Sequence, residues 1–129
     1  MSKLFSLLLL LIGAVVLVPS LRARAIPHVQ PALDPFYEWS ARNRVNEIVG
    51  LLHQETTLGR QVPSSRELPG FLEGRDTKEG AGTDPWGTPF FIRNTRTAYY
   101  VGSAGRDRTP NTPDDILSPP QPRTGKARR

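Results

Sequence analysis

An apolar run opens the chain. No charged residue occurs from Leu4 to Leu21, and Leu, Ile, Val and Ala dominate as far as Val18. An uncharged stretch of 18 residues lies at the short end of a membrane span, which takes about 17–25. It also suits the core of an export signal, with Lys3 in front and Ala23-Arg24-Ala25 as a small-x-small cleavage site. Arg22 and Arg24 disfavour cutting there. Residues 1–21 are read as a transmembrane anchor or signal segment, and either role places the rest outside the cytoplasm.

The pattern then changes. Pro19, Pro27, Pro31 and Pro35 fall within seventeen residues. Proline lacks an N–H and disfavours helix in the residue before it, so residues 22–34 are expected to form an extended, proline-rich linker. Asp34-Pro35 reads as an N-cap with proline at the first helical position. Beyond it, Phe36, Trp39, Val45, Ile48, Val49 and Leu52 recur mostly at steps of three or four, which predicts one amphipathic helix from Pro35 to about Thr57, closed by Gly59. Residues 59–83 are loop-like, with Leu68, Phe71 and Leu72 as a short helical turn. Asp84-Pro85-Trp86-Gly87 is a turn signal. Phe90–Ile92 and Ala98–Val101 read as two strands of a hairpin, and Ile116-Leu117 as a third short strand. The fold class expected is α+β: an N-terminal hydrophobic helix, a linker, and one amphipathic helix packed on a small antiparallel sheet over residues 35–118.

Composition narrows the function. The 129 residues carry a formal charge of +5 and no cysteine. The positive charge sits at the ends: between residues 26 and 118, ten Lys and Arg face twelve Asp and Glu, a net of −2. Nucleic-acid binding needs a clustered basic face on the fold, so no nucleic-acid partner is expected. Residues 119–129, proline-rich and then basic, read as a disordered tail. A domain this small and free of disulfides needs another staple, such as an ion or a neighbouring subunit. His28 and His53 have no partner at metal spacing. No nucleophile and base are found together, so no catalytic residue, enzyme activity or small-molecule substrate is expected.

Three short pieces carry the chemistry: Asp84-Pro85-Trp86-Gly87-Thr88-Pro89, then Ser103-Ala104-Gly105-Arg106-Asp107, then Thr112-Pro113-Asp114-Asp115-Ile116. In the bland reading Trp86 is core, packed on the helix face that carries Trp39 and Ile48. Asp107, Asp114 and Asp115 lie within nine residues, where unpaired carboxylates repel. A hard cation relieves that, since Ca²⁺ takes six to eight oxygen ligands. Alternatively the aspartates cap turns or pair with Arg106 and Arg108.

In order and spacing, these pieces resemble the C-terminal domain of the type II secretion major pseudopilin. The resemblance implies a pseudopilin-like fold and a Ca²⁺ site with Asp107, Asp114 and Asp115 as ligands, completed by carbonyls around Ala104 and Thr109. It implies a non-catalytic subunit in the cell inner membrane, single-pass, with its C-terminal domain in the periplasm and other secretion-system or pilin-like subunits as partners. The family's glycine after the first aspartate is Arg108 here, and the start, Met1-Ser2-Lys3-Leu4-Phe5, lacks the family's glycine cleavage point and early glutamate. The alternative is an exported, calcium-stabilised binding module that joins no filament, secreted if residues 1–25 are removed.

Overall fold

The computed structural model describes residues 2–76 and 78–123. The chain divides into two compact units, Met1–Pro35 and Phe36–Arg129. Its elements run α1 (Ser2–Leu17), α2 (Pro19–Thr57), α3 (Leu68–Arg75), β1 (Phe91–Asn94), β2 (Ala98–Ser103), β3 (Ile116–Leu117) and β4 (Gln121–Pro122). Helices with a small antiparallel sheet make this an α+β protein.

The apolar run is helical but ends early. Val18 donates to the Ala14 carbonyl at 3.0 Å, and Pro19, without an N–H, cannot continue the ladder. The 16 residues of α1 span about 24 Å, against a hydrocarbon core of about 30 Å. Among the described residues no helix is long and apolar enough to cross a membrane. Leu4, Phe5, Leu7 and Leu10 of α1 all stand exposed.

Residues 22–34, expected to be extended, are helical instead, inside α2. Asp34-Pro35 is therefore interior, not a helix start. Pro27, Pro31 and Pro35 recur every four residues, so the missing N–H donors fall along one side of the helix. Local proline preference is a weaker guide than this spacing suggests.

The buried stripe of α2 also differs from the one the spacing predicts. Ala41, Val45, Ile48, Leu52 and Glu55 are buried, while Phe36 and Trp39 are 61% and 62% exposed. Steps of four, three, four and three connect the buried set, and Tyr37 falls on the same line, four before Ala41. Phe36 and Trp39 lie off it. A count of apolar residues at mixed spacings does not distinguish two neighbouring faces of one helix.

The stripe packs against α3 and the sheet. Val45, Ile48 and Leu52 join Leu68 and Leu72 of α3 with Phe90, Ile92, Tyr99 and Val101 in one core. Ahead of α3, Ser64 and Glu67 bond reciprocally: the Ser64 N–H donates to Glu67 Oε2 at 2.9 Å, and the Glu67 N–H to Ser64 Oγ at 3.3 Å. Such a pair satisfies two backbone donors at a helix entry. Arg44 ties α2 to Asp76 at 3.0 Å and pairs within the helix with Glu47 at 2.9 Å.

β2 is the centre of the sheet. It pairs with β1 along one edge, Ile92 opposite Val101, and with β3 and β4 along the other, Gly102 opposite Leu117 and Tyr99 opposite Gln121. The first strand lies later than expected, at Phe91–Asn94, because Phe90 is fully buried in the core and donates to the Gly82 carbonyl at 3.1 Å. Gln121 and Pro122 were expected in a disordered tail; they form β4. The rest of that tail, residues 124–129, lies outside the described residues.

Candidate functional site

The turn at residues 84–89 is built around one buried carboxylate. Asp84 Oδ1 accepts the N–H groups of Trp86 at 3.1 Å and Thr88 at 2.8 Å. Its Oδ2 accepts the Ser103 hydroxyl at 2.7 Å. The Gly87 N–H closes the turn onto the Asp84 carbonyl at 2.9 Å, with Gly87 at φ 85. The turn points Trp86 inward, 5% exposed, edge-on to Tyr37 with ring centroids 5.8 Å apart. Trp86 therefore packs on the helix, through Tyr37 and not through the exposed Trp39.

Ser103 passes the chain on to the acidic loop. Its hydroxyl oxygen accepts the Gly105 N–H at 3.3 Å. Gly105 sits at φ 74, and a Cβ there would lie 2.2 Å from the Asp114 carbonyl oxygen. No other residue fits this approach. Residues 84–89, 103–107 and 112–116, apart in sequence, are thus joined at the C-terminal end of β2. Arg108 takes a left-handed φ of 56, the conformation a glycine adopts without strain.

Within this loop the carboxylates point different ways. The Thr112 hydroxyl and the Thr109 N–H hold the Asp107 carboxyl below the usual carboxylate range, against a smaller opposing effect of desolvation. Asp114 is exposed, and with Asp115, Gly105, Arg106 and Glu38 it lines a cavity of about 400 Å³. Asp107 is not part of that lining. Ala104 is fully buried, and the Thr109 carbonyl accepts the Thr112 hydroxyl at 3.1 Å. Asp115 is the focus: its side chain is 3% exposed, with Arg93 Nη2 2.5 Å from Oδ2. Its Oδ1 is the one buried side-chain polar atom without a hydrogen-bond partner among the described residues. That open, buried oxygen suits a cation. Among the described residues, however, no three histidine, cysteine or carboxylate side chains are gathered as a metal cluster.

The basic partners differ from those expected. Arg106 reaches Glu38 of α2, Nε to Oε1 at 2.8 Å. Asp115 takes Arg93, 22 residues away in sequence, and Arg93 Nε donates to Asn111 Oδ1 at 3.2 Å. Arg93, Asn111 and Glu38 were not singled out from the sequence, and Ser103 was named only as part of a motif piece. The signal for Arg93 was its place in the strand, one residue beyond the buried Ile92 and so turned away from the core.

A second buried carboxylate, Glu55, stands apart from this loop. Burial pushes its pKa up, and hydrogen bonds and charge from Arg60 and Arg75 outweigh that and bring it down. It joins the end of α2 to α3. A groove of about 570 Å³, lined by Trp39, Asn43, Glu47, Asp76, Lys78 and Glu79 among others, runs beside α2.

Searches against family models, curated proteins and solved structures return no match for this chain. The class the fold defines is a small α+β domain that follows an apolar helix.

Proposed function

We propose that the protein is a non-catalytic, pseudopilin-like subunit of a type II secretion-like system. In this reading α1, with the uncharged residues up to Leu21, holds it in the inner membrane, and residues 36–123 work in the periplasm. The observation that carries the reading is the joining of the three motif pieces. Asp84 bonds Ser103, Ser103 bonds Gly105, and Gly105 lies against Asp114. Residues quoted for their order along the chain therefore act as one structural unit. The exposed leucines of α1 support the anchor, since a helix apolar on all sides needs a protein core or a membrane around it.

Calcium belongs to the same reading. The unpartnered Oδ1 of Asp115 would meet the ion, with Asp107, Asp114 and the carbonyls of Ala104 and Thr109 as the remaining oxygens. An ion bound there would neutralise the acidic loop and fix it against the sheet.

The test uses the full chain with a C-terminal tag, expressed in a host that carries a type II secretion apparatus. The expected result is retention in the membrane fraction after an alkaline wash, with crosslinks to pilin-like subunits. A soluble product whose first residue is Ile26 would overturn the anchor and leave the exported binding module. Membrane retention without any crosslink to such subunits would overturn the secretion role.

A further inference from the structure

The two oxygens of Asp115 are in different circumstances. Oδ2 accepts Arg93 Nη2 at 2.5 Å and the Asn111 N–H at 2.8 Å. Oδ1 is buried and has no donor among the described residues. Arg93 also reaches Asn111 Oδ1 through Nε, and Asn111 is held at a left-handed φ of 67. One guanidinium on β1 therefore grips the acidic loop at two points, Asn111 and Asp115.

A divalent cation at this place would do two things. It would supply positive charge to a carboxylate removed from water, and it would tie the loop to the sheet. Arg93 does both. Its planar fork gives two directed donors and cannot lose its proton. The other basic side chains of the loop do not compete for the part. Arg106 is committed to Glu38, and Arg108 is exposed.

The structure assigns Arg93 the role of a resident counter-ion: it stands where a metal's charge would be required, so the loop from Ala104 to Ile116 keeps its fold without a bound cation. The inference rests on the calcium reading above in one respect, that the acidic loop is a cation site at all. Oδ1 is the oxygen left open to an incoming ion. Arg93 makes occupancy optional, where the three carboxylates alone would make it obligatory.

The experiment is a thermal melt of the full chain in detergent, in chelator and in calcium, for wild type, Arg93→Gln and the double variant Arg93→Gln/Asp115→Asn. Wild type is expected to gain only about 1–2 °C in calcium, since Arg93 already holds the loop and a weakly bound ion adds little to the native state. Arg93→Gln is expected to lose on the order of 10 °C in chelator, as a buried carboxylate is left unpaired, and to recover most of it in calcium. The double variant, with both charges gone, should melt above the single variant in chelator and ignore calcium; it remains informative if the single variant does not fold. Arg93→Gln melting as wild type in chelator overturns the inference. So does a wild-type midpoint that falls on removal of calcium by as much as that of Arg93→Gln, a result that would favour the calcium site itself. Loss in Arg93→Gln without recovery in calcium upholds the counter-ion and overturns the calcium reading.

Discussion

The Ser103 hydroxyl donates to Asp84 Oδ2 at 2.7 Å, and both side chains are buried. This bond joins the turn before β1 to the end of β2, across nineteen residues of sequence. Replacing Asp84 with alanine would orphan the Ser103 hydroxyl and the N–H groups of Trp86 and Thr88. An unsatisfied buried donor costs about 1–3 kcal/mol, so Asp84→Ala is expected to lose at least about 3 kcal/mol. Ser103→Ala, which leaves the two backbone bonds of Asp84 in place, should lose less than half as much. Urea unfolding followed by tryptophan fluorescence measures both. Equal losses would show that the turn does not depend on the carboxylate.

The two tryptophans should behave oppositely. Trp86 is buried against Tyr37, and truncating a buried aromatic costs about 3–5 kcal/mol, a large part of a small domain's stability of about 5–15 kcal/mol. Trp39 is exposed, and exposed substitutions usually stay within about 0.5 kcal/mol. Trp86→Ala is expected to unfold most of the domain at a denaturant concentration that leaves Trp39→Ala folded. A stable Trp86→Ala would place the side chain outside the core.

Much of the fold could be read from the pattern of residues, and the failures have physical causes. Apolar spacing located α2 near its C-terminal end, the hairpin and Ile116–Leu117. Proline's local preference argues for an extended path, whereas Pro27, Pro31 and Pro35 all lie inside α2. Phe36 and Trp39 carry a large share of the apolar signal of α2, whereas the buried Ala41 is small and the buried Glu55 is charged, so apolar spacing alone does not trace the stripe. At the site, the crowding of Asp107, Asp114 and Asp115 along the chain was legible, but not the different directions of their side chains or the partners they take. Arg93 reaches Asp115 only because antiparallel pairing sets β1 beside β2 and β3 returns along the other edge. No spacing along the chain encodes that meeting.

Acid should destabilise the domain through identifiable groups. The Ser64 N–H holds Glu67 low, the Lys78 N–H holds Asp76 low with help from Arg44, and the Thr112 hydroxyl does so for Asp107. Each carboxyl binds its proton more weakly folded than unfolded. The stability they supply is therefore present above the unfolded carboxylate values, about pH 4, and is lost as pH falls through the lower folded values. The melting midpoint is expected to be level from neutral pH to about pH 5 and to drop below about pH 4. Glu67→Gln keeps an acceptor for Ser64 but no longer titrates, so it should be slightly less stable than wild type at neutral pH and converge with it in acid, giving a shallower acid limb. An unchanged limb would exclude Glu67 from the linkage.

Two neighbouring positions in the acidic loop make opposite demands on the backbone. Gly105 and Arg108 both hold positive φ, 74 and 56, but only Gly105 also lies under a carbonyl oxygen, that of Asp114. Gly105→Ala must either push Asp114 away or abandon the turn. It is expected to lose several kcal/mol, since strain at such a site adds to a steric clash. It should also release Asp115 from its place beside Arg93. Arg108 is exposed, and its conformation is unfavourable by about 1–2 kcal/mol for a residue with a Cβ. Glycine removes that penalty and adds freedom to the unfolded chain, which returns part of it. Arg108→Gly should therefore be neutral or more stable by up to about 1 kcal/mol. It also takes one positive charge from a loop with three carboxylates, so any calcium affinity should rise. Isothermal titration with calcium and thermal melts of both variants decide the matter. A destabilised Arg108→Gly would mean that the Arg108 side chain itself holds the loop, and that the departure from glycine at this position is structural.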